Sequence, residues 1–499
     1  MTTTTTTTAL RMPYSTRLSL LSLLVLQLSS SSSCVVSLAS VASSATPTAP
    51  TTAVGGTATT LMEEDATKKN VHVPVGKDGE GEYTASTKGC FDVINTARPL
   101  ILEQILKQQQ QQQQQQQSEN PTTSSSTTAT AYHIADYGTA DGGTSLGLIH
   151  DMVQTLRRRG EEEEEETLGG RNNDIRSTSS SEREVVIHYE DQVTNEWQSV
   201  FRHALGHKDV FDAYGTKIPT PYDLPKVFVE ACGVGFHSQC YPSSSIDFGV
   251  SFTAMHWLSR PDVVSLKGTP FMHPAQVSDA GGIIDDNNND PDESCRSTLP
   301  ESIQGSKDWI SILEARKAEL KQGGRFVCVN FCVSKQGHYL GNTGVGSNMW
   351  DSFKQSWEQL YDEGLIDDDE RYGVSFPSYY RTMDDFMKGI EEVGGFKIVS
   401  AEEKIVPCPY RTLYTETDKK NKMTPREYAE WFVPTTKSWS HSTFKAALDS
   451  PSTTKNKRTD DEKEMIVNKF WDNYMSLVEK DPSSHGMDYV HAYLVLEKM

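Results

Sequence analysis

The chain has 499 residues, a formal net charge of −21 at pH 7, a hydrophobic fraction of 36% and a mean hydropathy of −0.53. This acidic balance argues against a nucleic-acid partner, because neutralising phosphates requires clustered Lys and Arg. The length leaves room for one large α/β domain with an insertion, or for two domains.

The N-terminus predicts a targeting leader over residues 1–45. Arg11 and Arg17 precede the apolar run LSLLSLLVLQL at 18–28, and small residues suited to a cleavage site follow. The run is too short to span a bilayer comfortably, and no other stretch approaches the ~18 apolar residues of a spanning helix. We therefore expect entry into the secretory pathway or an organelle, and a mature protein that is not embedded in a membrane.

Cysteine usage favours a reducing compartment. Of the eight Cys, Cys34 lies in the leader, and the odd number that remains contains no C-x-x-C pair. This pattern is not typical of a disulfide framework or a zinc site. Cys328 and Cys332 share one face of a candidate strand and are predicted to be buried thiols. An organelle interior therefore fits better than the extracellular space.

Low-complexity stretches surround and interrupt the foldable part of the chain, 76–499. A Thr/Ala/Pro/Gly-rich, disordered linker is predicted over 46–75, and loop inserts are predicted near 108–130, 161–181 and 279–297. The last insert contains DDNNNDPDES, which lacks the glycine and glutamate spacing of an EF-hand. We therefore predict no metal site there or elsewhere.

Between the inserts, short apolar runs alternate with helical patterns. Seven runs are candidate strands: His133–Ala135, Val185–His188, Lys226–Glu230, Ile246–Phe252, Arg325–Phe331, Phe396–Ser400 and His491–Glu497. This interleaving predicts a mostly parallel, doubly wound α/β sheet of seven strands, the last one a C-terminal hairpin strand. Helix-rich, aromatic stretches mainly within 337–447 predict an α-helical cap over the carboxyl edge of the sheet, where ligands bind in such folds.

The first candidate strand ends in a glycine turn that is typical of a nucleotide-like cofactor site. In YHIADYGTADGGTSL at 132–146, Asp136 ends the strand and a helical pattern begins near Thr144. The turn has neither the lysine of a phosphate-binding loop nor the G-x-G-x-x-G of a dinucleotide site. An acid at this point suits a cofactor with a cationic amino group, such as S-adenosylmethionine. The alternative is plain packing of a strand against a helix.

Three further strand ends supply candidate ligand-binding side chains. Asp191 follows the second strand, where a carboxylate accepts hydrogen bonds from a ribose diol, and the alternative is a helix N-cap. Phe236, in the loop after the third strand, suits packing on a purine or, alternatively, in the core. After the fourth strand, His256 and Trp257 offer N–H donors to a carboxylate, the alternative being a core Trp with a satisfied His.

Taken in order, these segments resemble the SABATH family of plant-type carboxyl methyltransferases, which act on acids such as salicylate, jasmonate and indole-acetate. IADYGTADGGT at 134–144 is similar to the family's IADLGCSSGPN, and GVSFTAMHWLS at 249–259 is similar to its HSSYSLHWLS. Looser matches are EDQVTNEWQ at 190–198, VGFHSQCYP at 234–242 and GGRFV at 323–327. The resemblance covers about residues 80–499.

The resemblance implies a Rossmann-like class I methyltransferase fold, S-adenosylmethionine as cofactor, and methyl transfer to the carboxylate of a small molecule. Residues placed at the cofactor by the resemblance are Tyr83, Thr87, Asp136, Gly138, Thr144, Asp191, Gly235 and Phe236. Residues placed at the substrate are Phe252, His256 and Trp257. Trp257 and His256 would hold one carboxylate oxygen while the other attacks, so no metal or strong base is needed. A homodimer is kept as a candidate assembly.

The chain departs from the family pattern at several positions. Cys90 falls near the family's carboxylate-binding Gln, Thr144 stands where Asn is usual, and Gly235 stands where Ser is usual. Two alternatives therefore stay open beside the carboxyl methyltransferase. One is an N-methyltransferase that acts on a heterocycle, and the other is a non-catalytic binder of small molecules.

Overall fold

The computed structural model describes residues 79–118, 131–167, 183–260, 262, 299–417, 422–449 and 458–499. Its strands are β1 Tyr132–Tyr137, β2 Val185–Glu190, β3 Val210–Phe211, β4 Lys217–Ile218, β5 Val227–Cys232, β6 Ile246–Phe252, β7 Leu320–Phe331, β8 Phe396–Val406 and β9 Tyr489–Lys498. Its helices are α1 Glu82–Ser86, α2 Lys88–Ser118, α3 Leu146–Thr167, α4 Trp197–Ala204, α5 Pro300–Glu319, α6 Met349–Asp362, α7 Asp368–Arg371, α8 Met383–Val393, α9 Pro409–Glu416, α10 Pro425–Ala447 and α11 Asp460–Lys480. The predicted leader, linker and insert near 279–297 lie outside the described residues.

Seven strands form one sheet in the order β5-β2-β1-β6-β7-β9-β8. The first five are parallel neighbours, and β9 runs antiparallel between β7 and β8. Each of the seven predicted strands is present, which confirms the mostly parallel sheet and its antiparallel last strand. The strand order reverses beside β1, so the carboxyl ends of β1 and β6 border the crevice where such sheets bind ligands.

The sheet is covered on both faces, which explains why its central strands are apolar along their whole length. On one face, Ile134 and Ile187 belong to a core with residues of α2 and α3, such as Val93 and Leu148. On the other face, Ala135 belongs to a core with residues of α5 and α8. The alternation of Ile134 and Ala135 between two cores follows from the two-residue period of a strand.

The glutamine run is helical where a loop insert was predicted. α2 continues to Ser118, so Gln108–Gln117 extends the helix, and the prediction was wrong for this part of the insert near 108–130. Glutamine favours helix, and Gln108 is buried with its amide satisfied. Its Nε2 donates to the carbonyl of Asp247 at 3.0 Å, and the Tyr132 hydroxyl donates to its Oε1 at 2.5 Å.

α3 also extends beyond the predicted boundary. It ends at Thr167, so the acidic run Glu161–Glu166 lies in a helix and not in the loop insert predicted near 161–181. The buried face of this helix, which includes Met152 and Leu156, anchors the first turns in the core. Adding residues to an existing helix costs far less than starting one, and glutamate is a good helix former.

The cap consists mainly of α6, α10 and α11. α10 and α11 pack against each other and α11 packs against α6, so the cap includes a helix beyond the range 337–447. Its interior is aromatic: the ring of Phe353 lies 4.8 Å from that of Tyr474 and 5.7 Å from that of Phe444. α8, which falls inside the predicted range, packs instead against α5 on the sheet.

The structure also tests the predicted state of the cysteines and whether its described helices could cross a membrane. The six described cysteines are free, and Cys328 and Cys332 are fully buried, which confirms their prediction as buried thiols. Within the described ranges, no helix combines the length and the apolar character that crossing a membrane requires.

Candidate active site

The glycine turn after β1 is built around the buried carboxyl of Asp136. Its Oδ2 accepts hydrogen bonds from the hydroxyls of Thr139 at 3.0 Å and Ser145 at 2.6 Å. Burial raises the pKa of Asp136 to about 6, and the two hydroxyls oppose that rise. Asp136 therefore holds both ends of the turn. Thr144, between them, is half-buried.

Asp191 fastens the same turn from β2. Its Oδ2 accepts from the backbone N–H of Ala140, which has φ +52°, and its Oδ1 accepts from that of Gln192, both at 2.8 Å. Each oxygen keeps a lone pair for a ligand hydroxyl, and burial raises the pKa of Asp191 to about 6. The N-cap alternative is wrong, because α4 begins at Trp197 with Glu196 as its cap residue.

Gly138 faces the loop that carries Phe236. Gly138 has φ +73°, and a Cβ there would lie 2.3 Å from the Cβ of Ala254 and 3.8 Å from the ring of Phe236. A side chain at this position would therefore close the gap between the turn and Phe236. A Cβ at Gly235 would meet no heavy atom within 4 Å, so this residue borders open space.

Glu190 is a site residue that the sequence did not single out from its neighbour Asp191. It is fully buried, and its Oε2 accepts from the backbone N–H of Gly138 at 3.1 Å. Burial and the nearby carboxylate of Asp191 raise its pKa well above 4.5. Its Oε1 makes no hydrogen bond within the described ranges. The available signal was its place as the last residue of β2.

The end of α5 braces the Phe236 loop. Arg316 forms a fully buried bidentate pair with Glu319, with both N–O distances at 2.8 Å. Arg316 also donates to the carbonyls of Phe236 and Ser238, each at 3.0 Å. Glu319 in turn accepts from the hydroxyl of Tyr137 at 2.6 Å. The pair therefore ties this loop to the strand that leads into the glycine turn.

The middle of α5 braces the segment after β6 that carries Trp257. Asp308 accepts from the backbone N–H of Ser259 at 2.9 Å and from its hydroxyl at 2.6 Å. His237 Nε2 donates to the carbonyl of Trp257 at 3.0 Å, and burial lowers the pKa of His237. Because His237 follows Phe236, this bond connects the Phe236 loop to the Trp257 segment.

A cavity of about 40 Å³ lies beside these loops. Its lining is Tyr83, Thr87, Cys90, Thr253, His256, Trp257, Phe331, Leu340, Trp350, Phe376, Ser378, Tyr380, Trp439, Met487 and Tyr489. The structure thus brings Tyr83, Thr87, His256 and Trp257 together at one cavity. It places Phe252 in the hydrophobic core and not among the lining residues.

Hydroxyl and thiol groups gather at one end of the cavity, which we call the hydroxyl end: Tyr83, Thr87, Cys90, Thr253 and Tyr489. The Cys90 thiol interacts with the side chains of the other four, and burial raises its pKa to about 11. Thr253 has φ +54°, a strained conformation for a β-branched residue that is typical of functional sites. Sequence reasoning missed Thr253, although it lies within the matched segment 249–259, and Tyr489, which belongs to no motif.

Aromatic rings from the cap and from the segment before α8 form a second part of the cavity wall. Trp350 lies 5.2 Å from Phe376 and 5.9 Å from Trp439, measured between ring centroids. Tyr379 donates from its backbone N–H to the carbonyl of His256 at 2.8 Å, which draws this segment to the Trp257 segment. The aromatic composition of 337–447 signalled this wall in the sequence.

A family model described as SAM dependent carboxyl methyltransferase matches residues 101–499 of this chain. Gibberellic acid methyltransferase 1 of Arabidopsis thaliana is 26% identical over 279 residues, 55% of this chain and 64% of that protein. A probable caffeine synthase of Coffea canephora is 24% identical over 272 residues, 54% of this chain and 61% of that protein. Each of these alignments spans less than two thirds of the relative.

A solved structure shares the fold. Loganic acid methyltransferase with SAH has a TM-score of 0.57 and 16% identity, covering 85% of this chain and 98% of that one. This likeness confirms the Rossmann-like class I methyltransferase fold. Because the family match extends over 101–499 of the 499 residues, the chain belongs to the SAM dependent carboxyl methyltransferase family.

Proposed function

We propose that this chain transfers the methyl group of S-adenosylmethionine to the carboxylate of a small organic acid and releases a methyl ester. The observation that carries this proposal is the junction between the glycine turn and the cavity. Tyr83 lines the cavity and also interacts electrostatically with Asp141 and Asp191 at the turn. A ligand at the turn and an acid in the cavity would therefore meet beside Tyr83.

The residues at the turn fit the cofactor that the family implies. Asp191 retains acceptor capacity for ribose hydroxyls, and Glu190 presents a buried oxygen that no described residue satisfies. Gly235 and Phe236 border the gap that would take the adenine. The resemblance places Asp136, Gly138 and Thr144 on the methionine side of the site, and Tyr83 and Thr87 near the carboxylate end of the cofactor. When bound, S-adenosylmethionine supplies a methyl group that its sulfonium already activates.

The residue types that line the cavity suit an acid with an apolar remainder. A carboxylate is ionised at neutral pH, so the chain needs no general base and has only to orient the acid and exclude water. Among the described residues, no Lys, Arg, Asp or Glu lines the cavity. We infer that the donors His256 and Trp257 hold one oxygen, and that the aromatic wall packs on the rest of the molecule.

A ring nitrogen is the alternative methyl acceptor, since one relative is a probable caffeine synthase. Methylating a ring nitrogen that carries a hydrogen atom requires a group that removes this proton. Within the described ranges, the cavity lining supplies no carboxylate for this task, and His256 is its only imidazole. The donor-rich lining therefore favours the acid over the heterocycle.

The experiment supplies the full-length chain with methyl-labelled S-adenosylmethionine and two panels of acceptors. The acids are gibberellic, indole-3-acetic and jasmonic acid, and the heterocycles are xanthines. We expect label in an acid that alkali releases as methanol, because methyl esters hydrolyse and N-methyl groups do not. Alkali-stable label would establish N-methylation. Cofactor binding without any transfer, seen by calorimetry with S-adenosylhomocysteine, would establish a binder.

The cellular location of the protein and its oligomeric state are separate questions. We propose that residues 1–45 direct the chain into the secretory pathway or an organelle, supported by the charged and apolar order of that segment. A fluorescent fusion with and without these residues should differ in location. A homodimer stays a prediction that light scattering of the purified chain decides.

A further inference from the structure

The antiparallel last strand delivers an extra polar group to the site. β9 runs against β7, and its register pairs His491 with Phe331, the last residue of β7. Tyr489, the first residue of β9, therefore lies at the carboxyl edge of the parallel strands, where it lines the hydroxyl end of the cavity. It is 2% exposed.

The hydroxyl of Tyr489 is buried without satisfying its hydrogen-bonding capacity. It makes no hydrogen bond to an oxygen or nitrogen atom of the described residues. The Cys90 thiol interacts with it as a weak hydrogen-bond partner. Its other polar neighbours are Tyr410, Cys408 and Tyr83, and the Tyr410 hydroxyl already bonds Ser86 and Thr435. Buried polar groups in native proteins are nearly always paired, so a buried phenol at a cavity with only a thiol as partner indicates that a stronger partner is missing.

The chemistry of this phenol matches an anionic partner. Burial holds the pKa of Tyr489 well above 10, so the group stays a protonated donor at any working pH. The neighbouring Thr87 hydroxyl is already committed, because it donates to the carbonyl of Tyr83 at 2.6 Å. His256 and Trp257 line the same cavity, so Tyr489 would add a donor to the carboxylate oxygen that these residues hold and leave the other oxygen free to attack.

We propose that the Tyr489 hydroxyl donates a hydrogen bond to one oxygen of the substrate carboxylate. This role rests on the proposed function, because it requires an acid in the cavity. Tyr489 thereby becomes a residue that selects acids over uncharged molecules of the same shape. It would also fix which carboxylate oxygen is held and which is left to attack.

The test compares the wild type with Tyr489→Phe, which removes one oxygen atom whose only described hydrogen-bond partner is the weak Cys90 thiol. We expect kcat/KM and acid affinity to fall about 10- to 100-fold, since hydrogen bonds to charged groups are among the stronger ones. Acid affinity is measured by calorimetry with indole-3-acetate on protein loaded with S-adenosylhomocysteine. The melting temperature without ligand and the affinity for S-adenosylhomocysteine should stay unchanged.

Two controls separate a substrate contact from a structural role. Affinity for 3-methylindole, which lacks the carboxylate, should be equal in wild type and Tyr489→Phe. Tyr493→Phe, two residues along the same strand and outside the cavity lining, removes a hydroxyl that faces the carbonyl of Val93 at 3.4 Å. It should leave acid affinity unchanged.

Each outcome decides the role of Tyr489. The role is overturned if Tyr489→Phe binds the acid within twofold of the wild-type affinity. It is also overturned if the variant loses as much affinity for 3-methylindole as for the acid. If the wild type binds indole-3-acetate but forms no ester, the proposed function fails while the loss of affinity still supports the donor. If the wild type binds no acid of the gibberellic, indole-3-acetic and jasmonic panel, both proposals fail.

Discussion

At the scale of single residues, the site separates two tasks. Asp136, Glu190 and Asp191 form an acidic cluster around the glycine turn, whereas no acidic side chain lines the cavity within the described ranges. The acids suit the hydroxyls and the cationic group of a nucleoside cofactor, and their absence from the cavity spares an anionic substrate from repulsion. Substitutions on the two sides should therefore give different kinetic results.

Trp257→Ala tests the substrate side. We expect turnover to fall at least 100-fold, because an N–H donor and an aromatic wall are both removed. Calorimetry should show an unchanged dissociation constant for S-adenosylhomocysteine, since Trp257 lines the cavity and the cofactor is assigned to the glycine turn. Loss of cofactor binding in this variant would show that the two sides are assigned wrongly.

Asp191→Asn tests the cofactor side and its pH dependence. We expect the dissociation constant for S-adenosylhomocysteine to rise, with a loss of about 1–3 kcal/mol in binding free energy, because a charged acceptor is lost. In the wild type, affinity should fall as the pH drops through about 6, where Asp191 becomes protonated. The variant should lack most of this dependence, and an identical profile in both proteins would remove Asp191 from the site.

The raised pKa values at the turn also affect the stability of the unliganded fold, and the direction is opposite: low pH weakens cofactor binding but favours folding. The pKa values of Asp136 and Asp191 are raised from 3.8 to about 6, so each favours folding fully below pH 3.8. That contribution is lost as the pH rises through about 6, and the unliganded turn is then strained by buried charge. A cofactor that binds at the turn at neutral pH would therefore offset part of this loss.

At the scale of elements, α5 organises the site although it contributes no lining residue. Its Arg316–Glu319 pair holds the Phe236 loop, and its Asp308 holds the Trp257 segment. One rigid helix thus fixes both loops relative to each other. Loops positioned by a rigid scaffold are the usual carriers of binding residues.

Glu319→Ala should show how strongly the fold depends on this helix. We expect a loss of about 3–5 kcal/mol in the free energy of unfolding, because Arg316 would be left as an unpaired buried charge. Urea unfolding followed by circular dichroism measures it. The double variant Arg316→Leu/Glu319→Ala should lose less than the single variants Arg316→Leu and Glu319→Ala together. Additive losses would mean that the pair is not coupled.

Much of this element arrangement follows from the sequence, for physical reasons. Apolar runs such as Ile246–Phe252 can only be buried strands, and the structure gives that strand the predicted limits. The glutamine run could not be assigned from composition, since its helix depends on burying Gln108 against residues far along the chain. The α5 braces were also invisible, because Arg316 and Glu319 become partners of the Phe236 loop only in the folded chain.

At the scale of the whole molecule, the site collects residues from both ends of the chain. Tyr83, near the start of the described part, and Tyr489, in the last strand, both act on the Cys90 thiol. Motif reading finds the turn and the Trp257 segment, which are local. It does not find Tyr489, because only the antiparallel placement of β9 brings that residue to the carboxyl edge.

The cap should matter for the acid and not for the cofactor. Trp439, on α10, lines the cavity as part of its aromatic wall. We expect Trp439→Ala to raise KM for the acid about 10-fold, since part of the ~1.5–3 kcal/mol gained by burying a large apolar group is lost. Steady-state kinetics measure KM, and calorimetry with S-adenosylhomocysteine provides the control. An equal loss of affinity for the acid and for S-adenosylhomocysteine would mean that Trp439 stabilises the fold as a whole and does not contact the substrate.

The most direct test of the central claim, that an acid in the aromatic cavity receives a methyl group beside the glycine turn, is the alkali-labile label formed by the full-length chain. With methyl-labelled S-adenosylmethionine and the acid panel, the wild type should yield label that base releases as methanol, and Trp257→Ala should yield almost none. Folded wild-type protein that binds S-adenosylhomocysteine but leaves every acid unlabelled would contradict the claim.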